Sequence, residues 1–108
     1  MLKKTEEVNL LLDFYENLLT SKQQEVLRLY YKEDLSLREI AELLNNTHAS
    51  IYDTIKRSEA KLLKYESNLG LVEKHHARNQ IYDKIKTYQN EAINQLIKQL
   101  ESIEKEEL

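Results

Sequence analysis

The polar and basic stretch "NNTHASIYDTIKR", residues 45–57, carries side chains that could contact a nucleic acid. Hydroxyl, imidazole, phenol and cationic groups hydrogen-bond to phosphates or to base edges, and an alanine can contact a thymine methyl. The candidate nucleic-acid-binding residues are Thr47, His48, Ala49, Tyr52, Asp53, Lys56, Arg57 and Lys61.

Other arrangements that carry chemistry are not found in the sequence. It has no glycine-rich phosphate loop, no H-E-x-x-H motif and no cysteine. His75 and His76 are adjacent, so on a helix they would point about 100° apart, which does not suit a shared metal ion. Glu39, Glu42 and Asp53 are interpreted as capping or solvated carboxylates. We therefore expect no catalytic residue, no metal and no cofactor, and a protein that is not an enzyme.

The composition favours an all-α protein. Its 108 residues are enough for one domain with a modest core, and they include no proline and a single glycine, Gly70. No apolar run approaches the ~20 residues needed to span a bilayer, and no signal peptide is recognised, so we expect a soluble cytoplasmic protein without membrane contact. The net charge of −3, from 16 basic and 19 acidic residues, argues against tight nonspecific binding to polyanions.

The apolar spacing predicts a succession of helices. The first covers residues 5–19, and Thr20 with Gln23 forms a capping box that begins a second helix over about 21–32. Ser36 with Glu39 begins a short third helix in the same way. Thr47 is the predicted N-cap of a fourth helix, which ends at Gly70 in a left-handed conformation.

The third and fourth helices have helix-turn-helix proportions. Ala41 is a small residue near the middle of the third helix, "NNT" forms a polar turn, and Ile51 and Ile55 are placed to pack back against Ile40. In this geometry the first turns of the fourth helix project outward. The sequence therefore predicts that the candidate nucleic-acid-binding residues are exposed.

The segment after Gly70 is predicted to form one long amphipathic helix over about residues 72–105, before the charged end "EKEEL". Residues 1–70 would form the helix-turn-helix core and 71–108 the C-terminal helix of the same structural unit. Its apolar stripe is too wide to remain in water, which favours packing on the core or a homodimer. The candidate self-association residues are Ile85, Tyr88, Ala92, Leu96 and Ile103.

The central stretch "LTSKQQEVLRLYYKEDLSLREIAELLNNTHASIYDTIKRSEAKLLKY" resembles region four of bacterial sigma factors. Over nearly the whole chain, "LLDFYENLLTSKQ", "SLREIAELL", "IYDTIKRSEAKLLKYE" and "LGLVEKH" resemble the YlxM family of small helix-turn-helix proteins. This resemblance implies a sigma-region-four-like helix-turn-helix bundle. It also implies an association with the bacterial signal recognition particle, through its protein or its RNA.

Two departures from the family pattern bear on nucleic-acid recognition. Asn46 occupies a turn position that is usually apolar, and Thr47, His48 and Ala49 stand where Ser-Arg-Gln is common. Arginine and glutamine read base edges well, whereas histidine does so weakly and alanine contacts only a thymine methyl. Three hypotheses follow: an adaptor of the signal recognition particle pathway, a dimeric DNA-binding transcriptional regulator, or a helical scaffold that binds partners through its C-terminal helix.

Overall fold

The computed structural model describes residues 1–106, and over these residues the chain is helical with no strand. The all-α helix-turn-helix fold expected from the sequence is confirmed. A 3₁₀ turn, Glu16–Leu18, follows the first α-helix, and a π-helical turn, Arg28–Lys32, extends the second. The six α-helices are α1 (Glu6–Tyr15), α2 (Ser21–Leu27), α3 (Leu37–Leu43), α4 (His48–Leu69), α5 (Leu71–Lys86) and α6 (Glu91–Glu106).

The helix boundaries in the first half follow local hydrogen-bonding rules. Both predicted capping boxes are present, Thr20 with Gln23 at the start of α2 and Ser36 with Glu39 at the start of α3. In each box the hydroxyl accepts from the backbone N–H three residues on, and the side chain at that position accepts from the N-cap N–H. These reciprocal bonds determine where α2 and α3 begin.

Two compact units make up the chain, and the division lies between Leu69 and Gly70. Gly70 has φ 64° and ψ 28°, the left-handed conformation that was predicted to end α4. That the two units form one structural unit stays a prediction.

The first unit is a bundle of α1 to α4 around one apolar core. Its apolar side chains come from all four helices, as the spacing predicts. The first helix was predicted to extend to residue 19, but α1 ends at Tyr15, and the 3₁₀ turn that follows changes the side-chain direction and leaves Leu18 52% exposed. The buried apolar residues of this unit are Val8, Leu11, Leu12, Tyr15, Leu19, Val26, Leu27, Tyr31, Ile40, Ala41, Ile51, Ile55 and Leu62.

The prediction of one continuous C-terminal helix over residues 72–105 is wrong. The segment forms a helical hairpin of α5 and α6, with a break at residues 87–90. Gln89 adopts a left-handed conformation with φ 54°, and the Asn90 side chain accepts a 3.0 Å hydrogen bond from the N–H of Ile93. An asparagine N-cap therefore begins α6, and the apolar spacing alone did not reveal this interruption. The last two residues of the predicted charged end lie outside the described residues.

The hairpin is held by ion pairs between its two antiparallel helices. Arg78 and Lys86 of α5 pair with Glu104 and Glu101 of α6 at 2.6 and 2.9 Å. Tyr82 donates a 2.8 Å hydrogen bond to the same Glu104 carboxylate. Within residues 1–106 no helix is both long enough and apolar enough to cross a membrane.

Candidate nucleic-acid interface

The turn between α3 and α4 is defined by polar groups. Asn45 has φ 54°, a left-handed conformation that asparagine tolerates, and the N–H of Asn46 donates a 2.9 Å bond to the carbonyl of Ala41. Thr47 then caps α4, since its Oγ1 accepts a 3.0 Å hydrogen bond from the N–H of Ser50. The predicted N-cap is confirmed, and the Thr47 hydroxyl already has a structural role.

Apolar contacts fix how α4 lies against α3. Ile40 and Ala41 of α3 and Ile51 and Ile55 of α4 are all buried, and the three isoleucines are fully so. The burial of these four residues matches the packing that the sequence predicts for a helix-turn-helix. It leaves the opposite side of α4 facing solvent.

The outer surface of α4 carries most of the predicted nucleic-acid-binding residues. Tyr52 is 44% exposed, and the other members of the group except Lys61 are also exposed. Viewed along the axis of α4, the exposed residues of this surface are spread over about half of the circumference of the helix. The residues that share it are His48, Ala49, Tyr52, Asp53, Lys56 and Arg57.

Opposite charges on this outer surface pair with each other. Arg57 Nε lies 3.0 Å from Asp53 Oδ2, one helical turn apart. Lys61 is half-buried, and its Nζ donates a 3.2 Å hydrogen bond to Gln23 Oε1 on α2. Of the predicted cations, Lys56 and Arg57 are therefore exposed, whereas Lys61 also contacts α2. Two exposed cations, Lys56 and Arg57, against one carboxylate, Asp53, leave this polar surface with a formal net charge of only +1.

A buried polar cluster behind α4 was not predicted from the sequence. Glu59 is 4% exposed, and its Oε2 accepts a 2.9 Å hydrogen bond from the N–H of Leu2 and another from the Tyr31 hydroxyl. Burial first, and then the hydrogen bond to Glu59, raises the pKa of the Tyr31 hydroxyl. The cluster connects the N-terminal segment, the π-helical turn and α4.

The helical spacing could have revealed Glu59, because it lies four residues after Ile55 and three before Leu62 on the buried side of α4. Its carboxylate therefore does not contribute to the outer surface. Among residues 1–106, no group of three or more His, Asp or Glu side chains could hold a metal ion.

The candidate self-association residues of the second unit differ in exposure. Ile85 is half-buried, while Tyr88 is 80%, Leu96 57% and Ile103 53% exposed, and Ala92 is also exposed. The hairpin therefore divides them between α5, the connection that follows it and α6.

Comparison with known proteins identifies the family. A family model described as "Putative helix-turn-helix protein, YlxM / p13 like" matches residues 2–103. The chain belongs to the UPF0122 family. A UPF0122 protein of Listeria innocua is 40% identical over 110 residues, covering 96% of this chain and all of the relative. UPF0122 proteins of Bacillus thuringiensis and Bacillus mycoides are each 45% identical over 108 residues, covering 97% of this chain and 98% of the relative.

Proposed function

We propose that this UPF0122 protein is a non-enzymatic regulatory adaptor of the signal recognition particle pathway, which binds the particle's protein or its RNA. The near-neutral outer surface of α4 is the observation that carries the proposal. Asp53 offsets Arg57 there, and Lys61 is directed to α2. Such a surface supplies few phosphate contacts of its own, so it suits a site within a larger complex. The chain belongs to a family described as YlxM-like, and it is the resemblance to YlxM proteins that implies an association with the signal recognition particle.

Binding to the purified particle components tests this function. The full chain is titrated against the particle's protein, its RNA and the assembled particle, each in separate measurements. We expect saturable binding to at least one component, weakened by Tyr52→Ala or Lys56→Ala because both side chains lie on the outer surface of α4. Arg38→Ala is the matched control for Lys56→Ala, since it removes one exposed positive charge from α3.

The pattern of binding across these components decides the result. Loss of binding with Lys56→Ala but not with Arg38→Ala would support a specific interface on α4. Absence of binding to every component at concentrations well above the micromolar range would contradict the proposal.

A dimeric DNA-binding transcriptional regulator is the second candidate. It is favoured by the outward-facing first turns of α4, the position from which a recognition helix enters the major groove. Salt dependence separates binding to a nucleic acid from binding to the particle's protein. Affinity from phosphate contacts falls steeply with salt, whereas an apolar contact with a protein changes little.

A further inference from the structure

The second unit presents an apolar stripe to solvent along α6. Ile93, Leu96, Leu100 and Ile103 are 39%, 57%, 44% and 53% exposed, although each is a large aliphatic residue. Their spacing of three, four and three residues is that of the apolar seam of a coiled coil. In coiled coils such a seam is buried against a facing helix, so the stripe has the spacing needed to pack against another helix.

Helix α5 extends the stripe into a broader face. The contacts of Arg78, Tyr82 and Lys86 define the side of α5 that meets α6. Ile81, which is 56% exposed, lies about 100° around from that side. Because the two helices are antiparallel, this rotation places Ile81 on the same side of the hairpin as the α6 stripe. Ile81 and the four exposed residues of α6 form one face, called here the hairpin face.

The charges around the hairpin face indicate the chemistry of its partner. Ala92 and Gln99, at the outer edge of the stripe, are uncharged. On the inner edge, Glu101 and Glu104 are already paired with Lys86 and Arg78 of the same hairpin. Charged side chains such as Lys84 lie at the margin, where water still reaches them. A partner therefore needs an apolar surface at the centre of its contact, and an identical face offers one. The exposed lysines Lys74 and Lys84 lie on the α5 side of the face, away from the α6 stripe.

We infer that the hairpin face is a homodimer interface, occupied by the same face of a second copy of this chain. The five side chains expose on the order of several hundred Å², within a factor of about two of the ~800 Å² that each partner contributes to a standard-size interface. In a two-fold symmetric dimer both copies use the same face, so every contact between two residues of the interface occurs twice. This inference does not depend on what the outer surface of α4 binds.

Sedimentation equilibrium of the full chain over micromolar concentrations tests the inference. The wild-type chain is expected to reach the mass of a dimer. Leu96→Glu and Leu100→Glu should each raise the dimer dissociation constant at least about thirtyfold, because each places a charge in the centre of the apolar face. Ser102→Glu is the control, since it adds the same charge to an exposed position of α6 off the stripe. It should leave the dimer intact.

Cysteine cross-linking provides a second measurement that does not need a disruptive charge. The chain has no cysteine, so Leu96→Cys, Leu100→Cys and Ile103→Cys each introduce the sole thiol. At least one of them should form a disulfide-linked dimer under mild oxidation, and Ser102→Cys should do so at least about tenfold more slowly. The inference is overturned by a wild-type chain that remains monomeric, or by a dimer that Leu96→Glu and Leu100→Glu leave unchanged.

Discussion

Asp53 and Arg57 lie one helical turn apart on α4, and both side chains are mostly exposed to solvent. A solvent-exposed pair of this kind contributes only about 0–1 kcal/mol to stability, but it lowers the positive potential of the surface on which it lies. Glu59, in contrast, is buried and accepts hydrogen bonds from Tyr31 and Leu2. Side chains on the two sides of α4 therefore have different roles. Asp53 and Arg57 set the charge of the outer surface, and Glu59 on the buried side accepts hydrogen bonds from other parts of the first unit.

Asp53→Asn should increase the affinity of the chain for duplex DNA or RNA about two- to threefold at low salt. This factor corresponds to the removal of one negative charge about 7 Å from a phosphate in water. Asp83→Asn, which makes the same change in net charge at an exposed position on α5, is the matched control. Fluorescence anisotropy with a labelled duplex measures both variants. Equal effects of the two substitutions would mean that net charge alone governs binding.

Tyr31 makes stability depend on alkaline pH. Its pKa is raised in the folded protein, so the neutral hydroxyl is favoured there, and its contribution to stability is complete below the unfolded pKa of about 10. This contribution is lost as the pH rises from about 10 towards the higher folded pKa. Urea unfolding at pH 9 and pH 11 should show a larger loss of stability for wild type than for Tyr31→Phe. The same loss in both proteins would contradict the role assigned to Tyr31.

At the scale of elements, the crossing of α3 and α4 rests on a few fully buried side chains. Ile51→Ala should cost roughly 2–4 kcal/mol, from lost apolar transfer energy and the cavity that remains. Ala41→Leu should destabilise more than Ala49→Leu, because Ala41 is buried and Ala49 is exposed. Chemical denaturation of the three variants measures these effects, and equal tolerance of leucine at both alanine positions would contradict this packing.

The connection between α5 and α6 depends on the side chain of Asn90. Asn90→Ala should reduce stability by about 1 kcal/mol, because the N–H of Ile93 loses its capping acceptor. Gln99→Ala, an exposed position in the interior of α6, is the control and should have a much smaller effect. Thermal unfolding followed by circular dichroism compares the two. An unchanged midpoint for Asn90→Ala would show that this cap does not stabilise the hairpin.

The same elements show how far the sequence alone could predict the structure. Thr20, Ser36, Thr47 and Gly70 have strong local preferences, so the starts of α2, α3 and α4 and the end of α4 were predicted correctly. The end of α1 was predicted at residue 19 but lies at Tyr15. The hairpin was missed because its apolar residues keep helical spacing on both sides of Asn90. The exposure of the outer surface of α4 could be predicted, because the apolar residues Ile51, Ile55 and Leu62 lie on the opposite side of the helix. The pairing of Asp53 with Arg57 and of Lys61 with Gln23 depends on side-chain conformations that spacing does not determine.

At the scale of the whole molecule, charge limits what the helix-turn-helix can do alone. The chain has a net charge of −3, and two or three cations on α4 can contact one line of phosphates. Counterion release from so few contacts gives a salt slope of only about −2 to −3 and weak duplex binding, near 10⁻⁴–10⁻⁶ M at physiological salt. Tight binding to DNA would need a dimer that reaches two half-sites about 34 Å apart. We therefore expect the outer surface of α4 to act within a larger complex.

Selection of binding sites from random DNA duplexes by the purified chain at physiological salt shows whether α4 reads DNA without a partner. The selection is run with wild type, His48→Ala and Lys56→Ala, because both substituted side chains are exposed on the outer surface of α4. We expect wild type to enrich no motif and to retain DNA that resembles that of the two variants. Enrichment of a motif of about six or more base pairs, lost with either substitution, would instead show that the α4 surface reads DNA alone, as in a DNA-binding regulator.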